Sequence, residues 1–217
     1  MADSRIESLN LLYESLSKIP NQVQTIVSAS GIGYYGDQGN EWLSEDQLAA
    51  RNNDFLSLVC DQWEQAARKL SQLNKRVIII RTGIVLTEKG GTLPPLLQSL
   101  KFGIAPIFGS GKQYYSWIHI QDLCRMYLYA IEKKNLKNVY NGVAPCPEQY
   151  RELINAIARV KNKIKINIPV PLSLLKIFLG EFSETLGTSI RCSSKKIEDA
   201  GFQFRYRELK EALTDLI

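Results

Sequence analysis

The chain has 217 residues, 45% of them hydrophobic and 23% charged, enough for one sizeable core or one core with a small appendage. Its formal net charge of +5 is scattered over short stretches such as Lys133-Lys134, Lys161 to Lys165 and Lys195-Lys196, so no basic run marks a nucleic-acid partner. Four cysteines with no C-x-x-C pair, and a single histidine, argue against a clustered metal site and for reduced thiols in a cytoplasmic setting.

The opening MADSRIESLN has neither a basic n-region nor an apolar h-region, and no apolar run approaches the roughly 20 residues of a membrane span. The longest candidate, Ile164 to Leu179, is broken by Pro169 and Pro171 and carries Lys165 and Lys176. A soluble protein without a membrane partner is expected. Asp3 or Ser4 is placed to cap a first helix, whose apolar positions Ile6, Leu9, Leu12, Leu16 and Ile19 recur at helical spacing until Pro20. Val23 to Ser28 reads as a short buried strand. A polar loop through Asp37, Asn40 and Asp46 leads to a helix from about Asn53 to Leu73. Arg76 to Arg81 encloses VIII, a strand apolar on both faces, as parallel strands covered by helices are.

After Gly90-Gly91 a helix is expected over Leu93 to Phe102, then an extended run from Ser116 to Ile120. Asp122, as its cap, opens a helix to Lys134; Val139 to Val143 is a strand and Glu148 to Val160 a helix. Strands alternating with helices predict an α/β fold with a parallel sheet. From about Lys163 the texture changes to IPVP, a helix from Leu172 to Gly180 and short segments. Residues 1–162 are therefore assigned to the α/β domain and 163–217 to a small, mostly helical C-terminal subdomain.

Three patterns invite over-reading. Gly31-Ile-Gly33-Tyr-Tyr-Gly36 spells G-x-G-x-x-G, but that motif cradles a pyrophosphate only when it opens a helix, and here a polar loop follows. Tyr129 to Lys133 and Tyr206 to Lys210 both spell Y-x-x-x-K. The first lies in an amphipathic helix and the second in the tail, where packing is the ordinary role.

The segments SASGIGYYG from Ser28, DFLSLVCDQWEQAA from Asp54, RTGIVLTEKGGTLPPLL from Arg81, GSGKQYYSWIHIQDL from Gly109 and YNGVAP from Tyr140, with FLGEFSETL and AGFQFRY in the tail, together resemble one family. It is the epimerase-like family of NAD(P)-dependent sugar-nucleotide epimerases, atypical extended short-chain dehydrogenases/reductases. The resemblance implies a Rossmann-type parallel sheet with flanking helices, a small-molecule substrate and NAD or NADP as cofactor. It also implies that the first four strands, with the glycine-rich dinucleotide turn, are absent from this chain. The strand at Val23 to Ser28 would then have an unpaired edge open to self-association.

In such enzymes a Ser after the fifth strand bonds the substrate oxygen, and a Tyr on the next helix exchanges the proton. A Lys four residues on lowers that Tyr's pKa from about 10. The resemblance assigns the Ser role to Ser30, with Ser28 as runner-up on the cofactor side; both could equally serve the strand end. Leu56 and Cys60 stand where the Tyr and Lys belong. Glu64 remains as a catalytic candidate on that helix, against a structural hydrogen bond or a solvated carboxylate. Arg81, Thr82, Gly83 and Ile84 end the sixth strand and are assigned to the nicotinamide pocket. Tyr34, Tyr35, Tyr115 and His119 are assigned to the substrate side. Tyr115 replaces an Arg that in nucleotide-sugar enzymes grips the substrate diphosphate, and a phenol lacks that bidentate charge. The expected activity is an NAD(P)-dependent epimerase or oxidoreductase acting on an unidentified, carbohydrate-like small molecule. The alternatives are a non-catalytic dinucleotide-binding or regulatory protein, and a fragment that binds no cofactor.

Overall fold

The structure is a computed structural model that describes residues 2–50, 54–174 and 186–217. Helix α1 runs over Ala2–Lys18 and so begins before either expected cap; Asp3 and Ser4 lie within its first turn. Strand β1 (Thr25–Gly31) follows, then a short 3-10 turn over Ile32–Tyr35 and the two-residue β2 (Trp42–Leu43). Helix α2 (Phe55–Lys69) starts at Asp54, whose carboxylate accepts the Ser57 amide at 3.1 Å. Beyond it come β3 (Arg76–Thr82), β4 (Ile84–Leu86), α3 (Leu93–Lys101) and β5 (Ile104–Phe108). Then β6 (Tyr114–Tyr115), β7 (Trp117–His119), α4 (Ile120–Glu132) and β8 (Asn138–Gly142) follow. The chain continues through β9 (Glu148–Gln149), α5 (Tyr150–Val160) and β10 (Ile166–Val170). It ends with β11 (Arg191–Cys192), α6 (Lys195–Asp199) and α7 (Leu209–Leu216).

The main sheet is β1-β3-β8, all parallel, with β1 at one edge. Alternation along β3 sends Ile78 and Ile80 to one face, where they pack with Met126 and Leu123 of α4. Val77 and Ile79 go to the other face, beneath Ala67 of α2 and Leu9 of α1. VIII is thus covered by helices on both sides, which is why it contains no polar position.

Beyond Lys163 the expected break at IPVP is a strand. β10 pairs in parallel with β5, and Pro169 is tolerated because an edge strand needs no outward N–H. β11 pairs with β2, and Tyr206, Leu209, Ala212 and Leu213 share a core with Ala105, Tyr150 and Ile157. Of the expected helix from Leu172 to Gly180, residues 175–180 lie outside the described residues. No helix among the described residues is long and apolar enough to cross a membrane.

Asp122 does not cap its own helix. α4 starts two residues earlier, and His119 is the cap, its Nδ1 accepting the Gln121 amide at 3.1 Å. The buried Asp122 carboxylate instead accepts the amides of Arg205 and Tyr206 at 3.0 and 2.8 Å, tying the tail to α4. Both Y-x-x-x-K tyrosines are structural. Tyr129 donates to Ala200 O at 2.7 Å beside Phe202, and Tyr206 stacks on His119.

Candidate active site

The carboxyl ends of β1 and β3 are where a parallel sheet opens a crevice to ligands. Ladder register places Ser30 opposite Arg81 and Arg81 opposite Asn141, so three polar residues form one row across three strands. All three point to the α2 face, because they sit at even spacing from Ile79 and Val139, which pack there. Above the row, Ser57, Cys60, Glu64 and Ala67 make up the buried stripe of α2. Glu64 is the one charge on that stripe.

Burying a carboxylate is tolerable only if its lone pairs are met. Arg81 Nε and Nη2 donate to the two Glu64 oxygens at 2.7 and 2.9 Å, both side chains being 1% exposed. Arg68 donates to Oε2 at 2.9 Å, and the Ser30 hydroxyl donates to Oε1 at 2.9 Å. The other edge of the guanidinium donates to the Tyr35 hydroxyl at 2.9 Å, and the Tyr35 hydroxyl donates to Asn141 Oδ1 at 2.8 Å. Asn141 Nδ2 closes the chain on Ser193 O at 3.1 Å. The Tyr34 ring lies 3.4 Å from Arg81 Cζ, a cation–π contact. Burial pushes the Tyr35 phenol above its ordinary range although Arg81 pulls the other way. Burial alone would lower the Arg81 guanidinium, but its bonds to Glu64 raise it instead.

Ser30, Glu64, Arg81, Tyr34 and Tyr35, assigned separately from the sequence, therefore belong to one network. Asn141 was missed; its only signal was a polar residue inside the apolar run of VYNGV. The Ser28 hydroxyl stays local, on Ala29 O at 3.1 Å. Thr82, at the end of β3, and Ile84, at the start of β4, are half-buried. Gly83 and Ile84 spend their amides on Gly142 O and Ser116 O at 3.1 and 2.8 Å. A Cβ on Gly83 would run into Ser116 O and Val143, so only glycine lets these strands close.

At the positions of the missing pair, Leu56 lies against Gly33, and the buried Cys60 has its thiol raised by burial. Tyr115 and His119 stand apart from the network. The Tyr115 hydroxyl donates to Leu186 O at 2.9 Å and its phenol is raised by burial. His119, with no exposed surface, caps α4, and burial holds its imidazole below the ordinary range. The turn over Ile32–Tyr35 opens no α-helix, so G-x-G-x-x-G is no phosphate cradle here. Among the described residues no three His, Cys, Asp or Glu side chains gather as metal ligands.

Residues 170–216 match a family described as a domain of unknown function, DUF1731. An epimerase family protein of Staphylococcus aureus (strain MRSA252) is 35% identical over 215 residues, which cover 99% of this chain and 71% of that protein. The chain belongs to the epimerase family. Another relative, the epimerase family protein YfhF of Bacillus subtilis, is 33% identical over 99% of this chain and 70% of its own length. The human epimerase family protein SDR39U1 (isoform 2), solved with NADPH, superposes with a TM-score of 0.91 at 27% identity, over 99% of this chain and 72% of the human one. A nucleoside-diphosphate sugar epimerase of Corynebacterium glutamicum superposes at 0.79 with 31% identity, over 99% of this chain and 41% of its own. A dTDP-glucose 4,6-dehydratase of Bacillus anthracis, solved with NAD, shares the fold at 0.77 and 18% identity, over 99% of this chain and 67% of its own. The epimerase-family fold thus accounts for the parallel sheet and its helical cover.

Proposed function

We propose that this chain takes part in NAD(P)-dependent epimerase or oxidoreductase chemistry on a small, carbohydrate-like carbonyl or alcohol. The observation that carries the reading is the likeness to the human family member solved with NADPH, combined with the row Ser30–Arg81–Asn141 at the carboxyl ends of the strands. A nicotinamide cofactor supplies hydride transfer when bound. The residues here suit its ring end: Thr82 and Ile84 edge the crevice, half-buried beside the Ser28 and Ser30 strand. The proposal gives the G-x-G-x-x-G segment no part in gripping the pyrophosphate, because the turn over Ile32–Tyr35 opens no α-helix.

Within this reading Ser30 is the side chain that touches substrate. To donate to a substrate oxygen it turns its proton away from Glu64, which keeps the two bonds from Arg81 and the one from Arg68. Glu64, Arg81 and Tyr35 are positioning residues, since their polar atoms are satisfied inside the protein. Tyr115 and His119 have packing and capping roles. Titration with NADPH and NADH, read by nicotinamide fluorescence, tests the cofactor, and turnover on a panel of sugar nucleotides and simple carbonyls tests the chemistry. Binding with turnover that Ser30→Ala lowers by about 100-fold is expected. Absence of binding by either nucleotide refutes the reading.

A second reading is favoured by two observations: Leu56 and Cys60 replace the proton-exchanging pair, and the Ser30 proton is committed to Glu64. It makes the protein a dinucleotide binder without turnover. Binding with no product from any member of the panel would select it.

A further inference from the structure

At the amino-terminal end of the main sheet, opposite the crevice, an open cavity of about 320 Å³ lies between the end of α2, the start of β3 and the turn from α4 into β8. Its floor is apolar, formed by Val77 and Ile79. Its walls carry Arg68, Lys75, Arg76, Lys134 and Lys137, and among the described residues no carboxylate lines it.

These five charges are not cancelled locally. Arg68 reaches Glu64, but Glu64 is already paired with Arg81, so that triad remains net positive. Lys75 Nζ bonds the neutral Asn21 Oδ1 at 3.0 Å. Arg76 donates to the carbonyls of Ala130, Ile131 and Lys133 at 2.9, 2.7 and 2.9 Å, neutral partners that leave its charge whole. No salt bridge involves Lys134 or Lys137 among the described residues, and both are exposed. Lysines after a helix usually serve its terminal carbonyls. At the end of α4 that role is filled by Arg76, which also bonds Leu136 O at 3.2 Å and so fixes the turn that carries both lysines. Their ammonium groups are left to face solvent across a concave surface, where like charges concentrate the field on an anion.

We propose that this cavity binds a compact, multiply charged anion of the phosphate class. The volume equals roughly ten waters, room for an oligophosphate chain, and an apolar floor lowers the competition from water for its oxygens. The site lies at the opposite end of the strands from the candidate active site and does not depend on the proposed chemistry.

Inorganic tripolyphosphate is the probe, titrated calorimetrically against the whole chain at low salt, with sulfate at matched ionic strength as the comparison. Tripolyphosphate binding in the micromolar range, at least tenfold tighter than sulfate, is expected. The double variant Lys134→Glu/Lys137→Glu, with unchanged circular dichroism, should weaken it tenfold or more. Lys101→Glu/Lys112→Glu, which makes the same charge change elsewhere, should leave it within about twofold. Equal weakening by the two double variants, or no preference over sulfate, overturns the site. If Lys134→Glu/Lys137→Glu fails to fold, Lys134→Gln/Lys137→Gln gives the same comparison.

Discussion

Ser30 and Arg81, on the same rung of the β1–β3 ladder, donate to one and the same atom, Oε1 of Glu64, at 2.9 and 2.7 Å. A hydroxyl expected to act on a substrate is thereby held by a carboxylate that cannot move without uncoupling a buried guanidinium. The following consequences of that arrangement are measurable.

Glu64→Gln leaves Arg81 buried without its anion. Removing one partner of such a pair costs about 3–5 kcal/mol, read as a lower urea midpoint. The double variant Glu64→Leu/Arg81→Met removes both charges and should recover most of that loss. A single variant within about 1 kcal/mol of the parent would mean that the pair contributes no net stability.

Gly83→Ala places a methyl against Ser116 O and Val143. Overpacking of that kind costs roughly 1–3 kcal/mol, and thermal unfolding should move down accordingly. Gly90→Ala, with nothing within 4 Å of the added carbon, is the control and should stay within about 0.5 kcal/mol. Equal melting temperatures for the two variants would contradict the close approach at Gly83.

Asp122→Ala removes the acceptor for the Arg205 and Tyr206 amides and for the Arg125 guanidinium. Hydrogen bonds to a charged group contribute about 1.5–3 kcal/mol. Amide exchange at Arg205 and Tyr206 should accelerate well ahead of exchange in β3. Uniform acceleration across the chain would show a global loss rather than release of the tail.

The His119 imidazole is held below its ordinary 6.5 chiefly by burial, with Asp215 and Asp122 opposing and Arg205 assisting. A depressed folded value means that the unfolded chain binds the proton first. The stability contributed by the neutral imidazole is therefore present above about pH 6.5 and declines as the pH falls below it. Urea midpoints taken at about pH 7.5 and about pH 5 should fall, with a smaller drop in His119→Gln. An identical drop in the variant would assign the acid sensitivity elsewhere.

Much of this arrangement was legible from residue order. The apolar run VIII announced a strand covered on both faces, helical spacing marked α2, α4 and α5, and the polar loop after Gly36 ruled out a phosphate turn. That Leu56 and Cys60 stand at the positions of a Tyr and a Lys is what the resemblance implies, and residue order carries no separate sign of it. Ser30, Glu64, Arg81, Tyr34 and Tyr35 were each nameable, because polar groups at strand ends and on a buried helix face are conspicuous.

Their connection was not legible, because it depends on register between strands whose paired residues are 51 and 60 apart and on which face of α2 turns inward. One residue of slip would send Arg81 to the α4 side and leave Glu64 with Arg68 alone as its cation. For the same reason residue order pointed to Asp122 as the cap of α4, where the structure has His119. That choice was made by the amides of Arg205 and Tyr206, more than 80 residues away, which claim the Asp122 carboxylate. Local periodicity determined the elements of this protein, because side-chain direction repeats along a helix or strand. The tertiary structure decided which buried charges met, because a carboxylate in a core is stable only where the packing brings its donors.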